Sequence, residues 1–184
     1  SVEFSGVCKQ LVSASYDYSA RLWNVADGTP LKKLSGHTYW VCDATFSKDG
    51  KSVATASGDG TAIVWDVATG SQKHPPFNGH EGPVYTVAFA PNGAYVASGG
   101  YDRRVLIWKP ALIKRYDFKK LRSESGSVVP PGSFLALDDH QGAVRVLHYT
   151  MNGEHILSGS EDNSIKLWST ENGEIQKTFR GHDG

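Results

Sequence analysis

Short runs of apolar, strand-favouring residues alternate with polar, glycine-containing turns along the whole chain. Four of these runs end in tryptophan: residues 20–23 (Ala-Arg-Leu-Trp), 62–65 (Ala-Ile-Val-Trp), 105–108 (Val-Leu-Ile-Trp) and 165–168 (Ile-Lys-Leu-Trp). Each is too short for a helix and is bounded by turn residues, so each predicts a strand. The segment around Trp65 shows a full unit of four strands, at about 40–46, 52–56, 61–66 and 72–77. Lys48-Asp49-Gly50 and Ala68-Thr69-Gly70 punctuate it and suit tight hairpins. In the next unit Tyr85, Val87 and Phe89 fall on one strand face, and Val84, Thr86 and Ala88 on the other. Neither set is charged, which predicts a sheet packed on both sides.

The units repeat at fixed offsets. The tryptophans are spaced by 42, 43 and 60 residues. An aspartate stands six positions before each: Asp17, Asp59, Asp102 and Asp162. Four positions earlier is a hydroxyl residue (Ser13, Thr55, Ser98, Ser158), and nine before that an aromatic (Phe4, Phe46, Phe89, Tyr149). His37, His80 and His140 each precede a tryptophan by 28 positions, and His182 opens one more repeat. Gly36, Gly79 and Gly181 precede three of these histidines; Asp139 precedes His140. Self-similarity at this period marks a repeat architecture.

Gly-His, then Ser/Thr-x-x-x-Asp, then Trp resembles the WD-repeat (WD40) β-propeller family, although the Trp-Asp pair itself survives only at Trp65-Asp66. The resemblance implies an all-β fold of about four four-stranded antiparallel blades, part of a ring of seven or eight. Their spans are about 1–35, 36–78, 79–138 and 139–180, with 181–184 starting a further repeat. Two explanations stand for four repeats: a piece of a longer propeller, or a half-ring that pairs with a second copy. Either way the expected partners include remaining blades or a second copy, because an isolated arc exposes apolar blade faces.

The resemblance also places the aspartate in the turn between the second and third strands (b and c). It places the histidine in the link between blades (d–a), the hydroxyl on strand b and the tryptophan on strand c. A chain of hydrogen bonds then follows from Asp through His and hydroxyl to the indole N–H. The expected sets are His37, Thr55, Asp59, Trp65; His80, Ser98, Asp102, Trp108; and His140, Ser158, Asp162, Trp168. A set without histidine remains at Ser13, Asp17 and Trp23. Ser, His and Asp are also the parts of a hydrolytic triad. Here the set recurs three times with a tryptophan attached, the hydroxyl sits in mid-strand, and no Gly-x-Ser-x-Gly elbow occurs. The chain therefore reads as no enzyme. One histidine per repeat cannot converge on a metal, and His74, His148 and His155 read as surface residues. No cofactor is expected.

The charge balance is even, with 19 basic and 19 acidic residues, which argues against binding nucleic acid or membrane through bulk charge. Two cysteines, Cys8 and Cys42, rule out a disulfide framework, and no apolar run reaches membrane-spanning length. These features suit an intracellular protein, cytoplasmic or nuclear. One stretch breaks the period. Residues 111–132 read as an insert in the third-blade c–d loop, before a strand at about 133–137. Residues 109–126 carry an excess of positive charge that includes Lys114, Arg115, Lys119, Lys120 and Arg122. Residues 111–121 are compatible with a short helix.

These readings make the chain a non-catalytic protein-interaction scaffold within a larger assembly. The alternative is a subunit of a nucleic-acid complex that contacts phosphate through the basic insert. The partner face is expected where the d–a and b–c loops meet, at Tyr16, Thr38, Trp40, Glu81, Tyr101, Gln141 and Glu161. Trp40 is the one tryptophan outside the repeat register, and Tyr and Trp are enriched at binding hot spots.

Overall fold

The computed structural model describes residues 1–6, 9–115 and 134–182. These form four antiparallel sheets in which strands follow one another in sequence order. The first sheet is β1 (Val2–Phe4), β2 (Gln10–Ala14), β3 (Ser19–Asn24) and β4 (Pro30–Ser35). The second is β5 (Val41–Phe46), β6 (Ser52–Ser57) and β7 (Ala62–Asp66). The third is β8 (Val84–Phe89), β9 (Val96–Gly100), β10 (Val105–Trp108) and β11 (Phe134–Leu137). The fourth is β12 (Val144–Tyr149), β13 (His155–Ser160), β14 (Ser164–Ser169) and β15 (Ile175–Arg180). The first strands pack in succession, β1 on β5, β5 on β8 and β8 on β12, so the sheets form an arc of blades with these strands innermost.

Three apolar layers hold the arc together, one at each joint between sheets. Each of the last three sheets turns its tryptophan face to the sheet before it. At the first joint Leu22 and Leu34 meet Ile63 and Trp65. At the second, Val64 and Phe77 meet Leu106 and Trp108, and the Phe77 and Trp108 rings stack 4.5 Å apart at 7°. At the third, Ile107 and Leu137 meet Ile156 and Trp168. Burying each such side chain contributes about 1.5–3 kcal/mol relative to leaving it exposed.

The structure differs from the sequence expectation in three places. The second sheet has no fourth strand: 72–77 touches β7 only through single bridges, Trp65 to Gln72 and Ala62 to Phe77. Pro75 and Pro76 lie between those bridges and have no N–H to give the ladder. The alternation expected along β8 is interrupted by a β-bulge between Val84 and Thr86. Val84 therefore joins Val87 in the layer against the second sheet, while Ala88 packs towards the fourth. Finally, the start of the insert is docked. Pro110–Arg115 is a 3-10 helix, and its Ile113 is buried against the second joint. Lys119, Lys120 and Arg122 lie outside the described residues, as does most of the insert; Lys114 and Arg115 end the 3-10 helix.

Candidate partner-binding face

The b–c turns and the inter-sheet links are joined by short hydrogen bonds. His37 Nδ1 lies 2.9 Å from Asp59 Oδ2 and its Nε2 lies 2.8 Å from Thr55 Oγ1, which accepts the Trp65 indole N–H at 2.8 Å. His80 bridges Asp102 and Ser98 at 2.9 and 2.8 Å, and Trp108 donates to Ser98 at 3.1 Å. His140 bridges Asp162 and Ser158 at 2.8 and 2.7 Å, with Trp168 donating to Ser158 at 2.7 Å. In the first sheet Trp23 donates to Ser13 at 2.8 Å, and Asp17 accepts from Ser19. An aspartate that binds Nδ1–H fixes the tautomer, leaving Nε2 to accept from the hydroxyl.

Burial works to raise the Asp59 and Asp162 carboxyls. Donors outweigh it and hold both well below the usual carboxylate range: His37, Thr61 and the Thr38 N–H at Asp59, and Ser164, the Gln141 N–H and His140 at Asp162. Asp102 is lowered in the same way by His80 and the Glu81 N–H. Burial lowers His140, against the pull of Asp162. A neutral histidine between a carboxylate and a hydroxyl that already receives an indole N–H is a satisfied strut. Thr38, Glu81 and Gln141 serve it with their backbone N–H groups, donated to Asp59, Asp102 and Asp162, while their side chains stay exposed. Asp139, where the other three repeat histidines are preceded by glycine, is matched by a buried lysine, Lys166, which donates to it.

On the same face, four aromatic rings form a ladder. Tyr16 and Trp40 have centroids 5.8 Å apart, Trp40 and Tyr39 4.0 Å, and Tyr39 and Tyr18 5.8 Å. Tyr16 is 79% exposed, and Tyr101, on the third sheet, 63%. The ladder has a seat. A Cβ on Gly58 would stand 2.2 Å from Trp40 Nε1 and 2.7 Å from Tyr39 Cδ1, so the indole fills the space where the other repeats carry Tyr16, Tyr101 or Glu161.

The inner mouth of the arc adds residues that the sequence reading missed. β5, β8 and β12 each carry a bulge one residue after a buried valine, Val41, Val84 or Val144. The bulged residues Cys42, Tyr85 and Arg145 meet Tyr16 and Trp40 around a depression of about 750 Å³. Burial pushes the Cys42 thiol up, against the pull of Trp40, so it lines the mouth as a neutral group. Arg145 stacks on Tyr85, its guanidinium carbon 3.8 Å from the ring centroid, and donates from Nε to Glu161 Oε1 at 2.8 Å. A second depression, of about 590 Å³, brings together Glu81, Tyr101, Gln141 and Glu161. Thr38 lines neither. The usable signal was positional: each bulged residue stands five places after a repeat histidine. Its side chain differs in every copy, beside an unchanging valine.

A family model described as WD domain, G-beta repeat matches residues 28–66, 70–109 and 132–169. The chain belongs to the WD-repeat family. Family members are in general non-catalytic protein-interaction scaffolds, and the all-β sheets described above are WD-repeat blades. Curated relatives include Nuclear distribution protein nudF of Emericella nidulans, 30% identical over 85% of this chain and 36% of its own length. The U3 small nucleolar RNA-associated protein 15 homolog of Xenopus laevis is 29% identical over 97% of this chain and 31% of its own. Nuclear distribution protein nudF of Aspergillus niger is 26% identical over 94% and 39%. The chain thus spans about a third of the length of the curated relatives it matches. Among the described residues no helix is long and apolar enough to cross a membrane, and no group of side chains is placed to hold a metal.

Proposed function

We propose that these WD repeats are a non-catalytic scaffold that holds a protein partner on the face of the b–c turns and inter-sheet links, within a multiprotein assembly. The observation that carries this reading is the seated aromatic ladder. Trp40 and its neighbours expose rings that the blade architecture does not require, on the rim of a depression shared by all four sheets. Rigid aromatic rings give large contact area for little lost entropy, and truncating one at a hot spot costs ~2 kcal/mol or more. The Asp-His-hydroxyl-Trp sets are the frame of this face and have no reactive role.

The relatives are named for nuclear distribution and for association with a small nucleolar RNA. A cytoplasmic or nuclear setting suits this chain equally. The outward faces of the first and fourth sheets expose Val2, Phe4, Ile165 and Phe179, and we read them as seats for further repeats. Partner capture with the full-length protein, followed by a binding assay on Trp40→Ala and Tyr101→Ala, tests the reading. At least a tenfold loss for folded Trp40→Ala is expected. Unchanged affinity in both variants moves the site off this face.

A further inference from the structure

We infer that the mouth takes an acidic peptide segment: a partner carboxylate on the open edge of Arg145, next to an apolar side chain of the same segment on Trp40 and Tyr16. This rests on the reading of that face as the partner surface and adds the chemistry that it selects.

Arg145 is presented rather than spent. The β12 bulge turns it into the mouth, and its plane is fixed by the Tyr85 ring. Two of its N–H groups, on Nε and Nη2, converge on a single oxygen of Glu161. The other three of the guanidinium's five donors have no partner among the described residues. Arg145 and Glu161 side chains are 50% and 51% exposed, and a pair so exposed contributes only ~0–1 kcal/mol. A carboxylate that takes the free Nη1–Nη2 edge makes two parallel bonds, the stronger geometry, in a mouth walled by rings.

Nearby acids do not compete. Asp43 accepts from Thr86 Oγ1 and from the N–H groups of Val87 and Ala44, and Asp17 accepts from Ser19 and pairs with Arg21. The rings favour an apolar neighbour over a cation. The Tyr16, Trp40 and Tyr39 rings have neighbouring centroids 5.8 and 4.0 Å apart, and Arg145 lines the same depression, so a second cation there would meet like charge.

The test uses full-length protein and a panel of capped nonapeptides, each with one Phe and one Glu set one to four residues apart. Matched panels carry Gln or Lys in place of Glu, and fluorescence anisotropy reads affinity. At least one Glu peptide is expected to bind about tenfold more tightly than its Gln match, with Lys weaker still. Arg145→Ala should erase the Glu preference. Glu161→Gln, which removes the internal competitor, should tighten the Glu peptide about threefold while leaving the Gln peptide unchanged. Equal binding of Glu and Gln peptides, a preference for Lys, a Glu preference that survives Arg145→Ala, or no binding by any peptide up to millimolar concentration each overturn the inference. Trp40→Ala separates the two levels. If it weakens every peptide while Arg145→Ala spares the Glu preference, only the acidic specificity fails. If it weakens none, the partner face itself is misplaced.

Discussion

The two middle sheets and the two end sheets are built from the same repeat but are not equally covered. Ala62 and Val105, three positions before their tryptophans, are fully buried, whereas Ile165 at the same place is 39% exposed. Phe77 and Leu137 are buried; their counterpart Phe179 is 42% exposed. On the opposite side Phe46 is buried and its counterpart Phe4 is exposed. The side chains are equally apolar, so what differs is the neighbour. A blade's core belongs to the joint between blades, which is why stability in repeat proteins resides largely in interfaces.

The largest test of that contrast is truncation at one repeat position. Phe77→Ala should cost ~3–5 kcal/mol in urea denaturation, since it strips the stack on Trp108 and leaves a cavity. In the 184-residue chain Phe179→Ala should cost less than ~1 kcal/mol, because that ring is in water there. In the full-length protein its cost should rise towards that of Phe77→Ala, as expected if a further repeat sits on the outer face of the fourth sheet; a cost still under ~1 kcal/mol there would mean that nothing covers that face. The hydrogen-bonded sets should grade the same way. Asp102→Ala strands a buried histidine and should cost ~1–3 kcal/mol. Asp17→Ala removes an exposed turn carboxylate with no histidine behind it and should stay under ~1 kcal/mol.

How much of this was legible follows from the same physics. The strands, their order and the sets at Asp59, Asp102 and Asp162 were readable because each repeats at a fixed offset. The missing fourth strand of the second sheet was not, although its cause, Pro75-Pro76, was in plain view; a strong period overrode a local veto. The bulges at Cys42, Tyr85 and Arg145 were hidden because a bulge changes neither spacing nor composition. It breaks only the side-chain alternation, which was assumed to be regular. Ile113 was read within an insert compatible with a short helix, and its burial was not foreseen because it has no repeat partner, yet it completes the layer around Trp108.

Acid should sharpen the contrast further. Asp59 and Asp162 bind protons more weakly in the folded state than in the unfolded chain, where a carboxyl titrates near 3.8. Their contribution is therefore complete above that pH and is lost progressively below it, as pH falls towards and through the lower folded-state value. His140, lowered from 6.5 by burial, has the same sign at higher pH: stability is full above 6.5 and declines below it as the unfolded chain takes up the proton. The urea midpoint should fall in two stages, gently below 6.5 and steeply below 4. Asp59→Asn should flatten only the second stage. Asp17, lowered by exposed bonds from Ser19, has the same sign but is screened by water, so Asp17→Asn should flatten the second stage less than Asp59→Asn.

The smallest effect concerns the b–c turns. The residue after each repeat aspartate adopts a left-handed backbone: Tyr18 (φ 68°), Gly60 (φ 82°), Arg103 (φ 68°) and Asn163 (φ 61°). Glycine and asparagine tolerate that region, whereas a bulky side chain is strained there by ~1–2 kcal/mol. Tyr18→Asn should relieve part of this strain but also loses the stack on Tyr39, so a net gain of ~0.5 kcal/mol is expected. The same exchange at Arg103, which has no ring partner among the described contacts, should gain slightly more. The measurement is the difference between the two urea midpoints. If Tyr18→Asn instead destabilises, the ring stack outweighs the strain. The end sheet would then have given up turn geometry to hold Tyr39 and Trp40 in place, and the strained turn would belong to the partner face rather than to the blade.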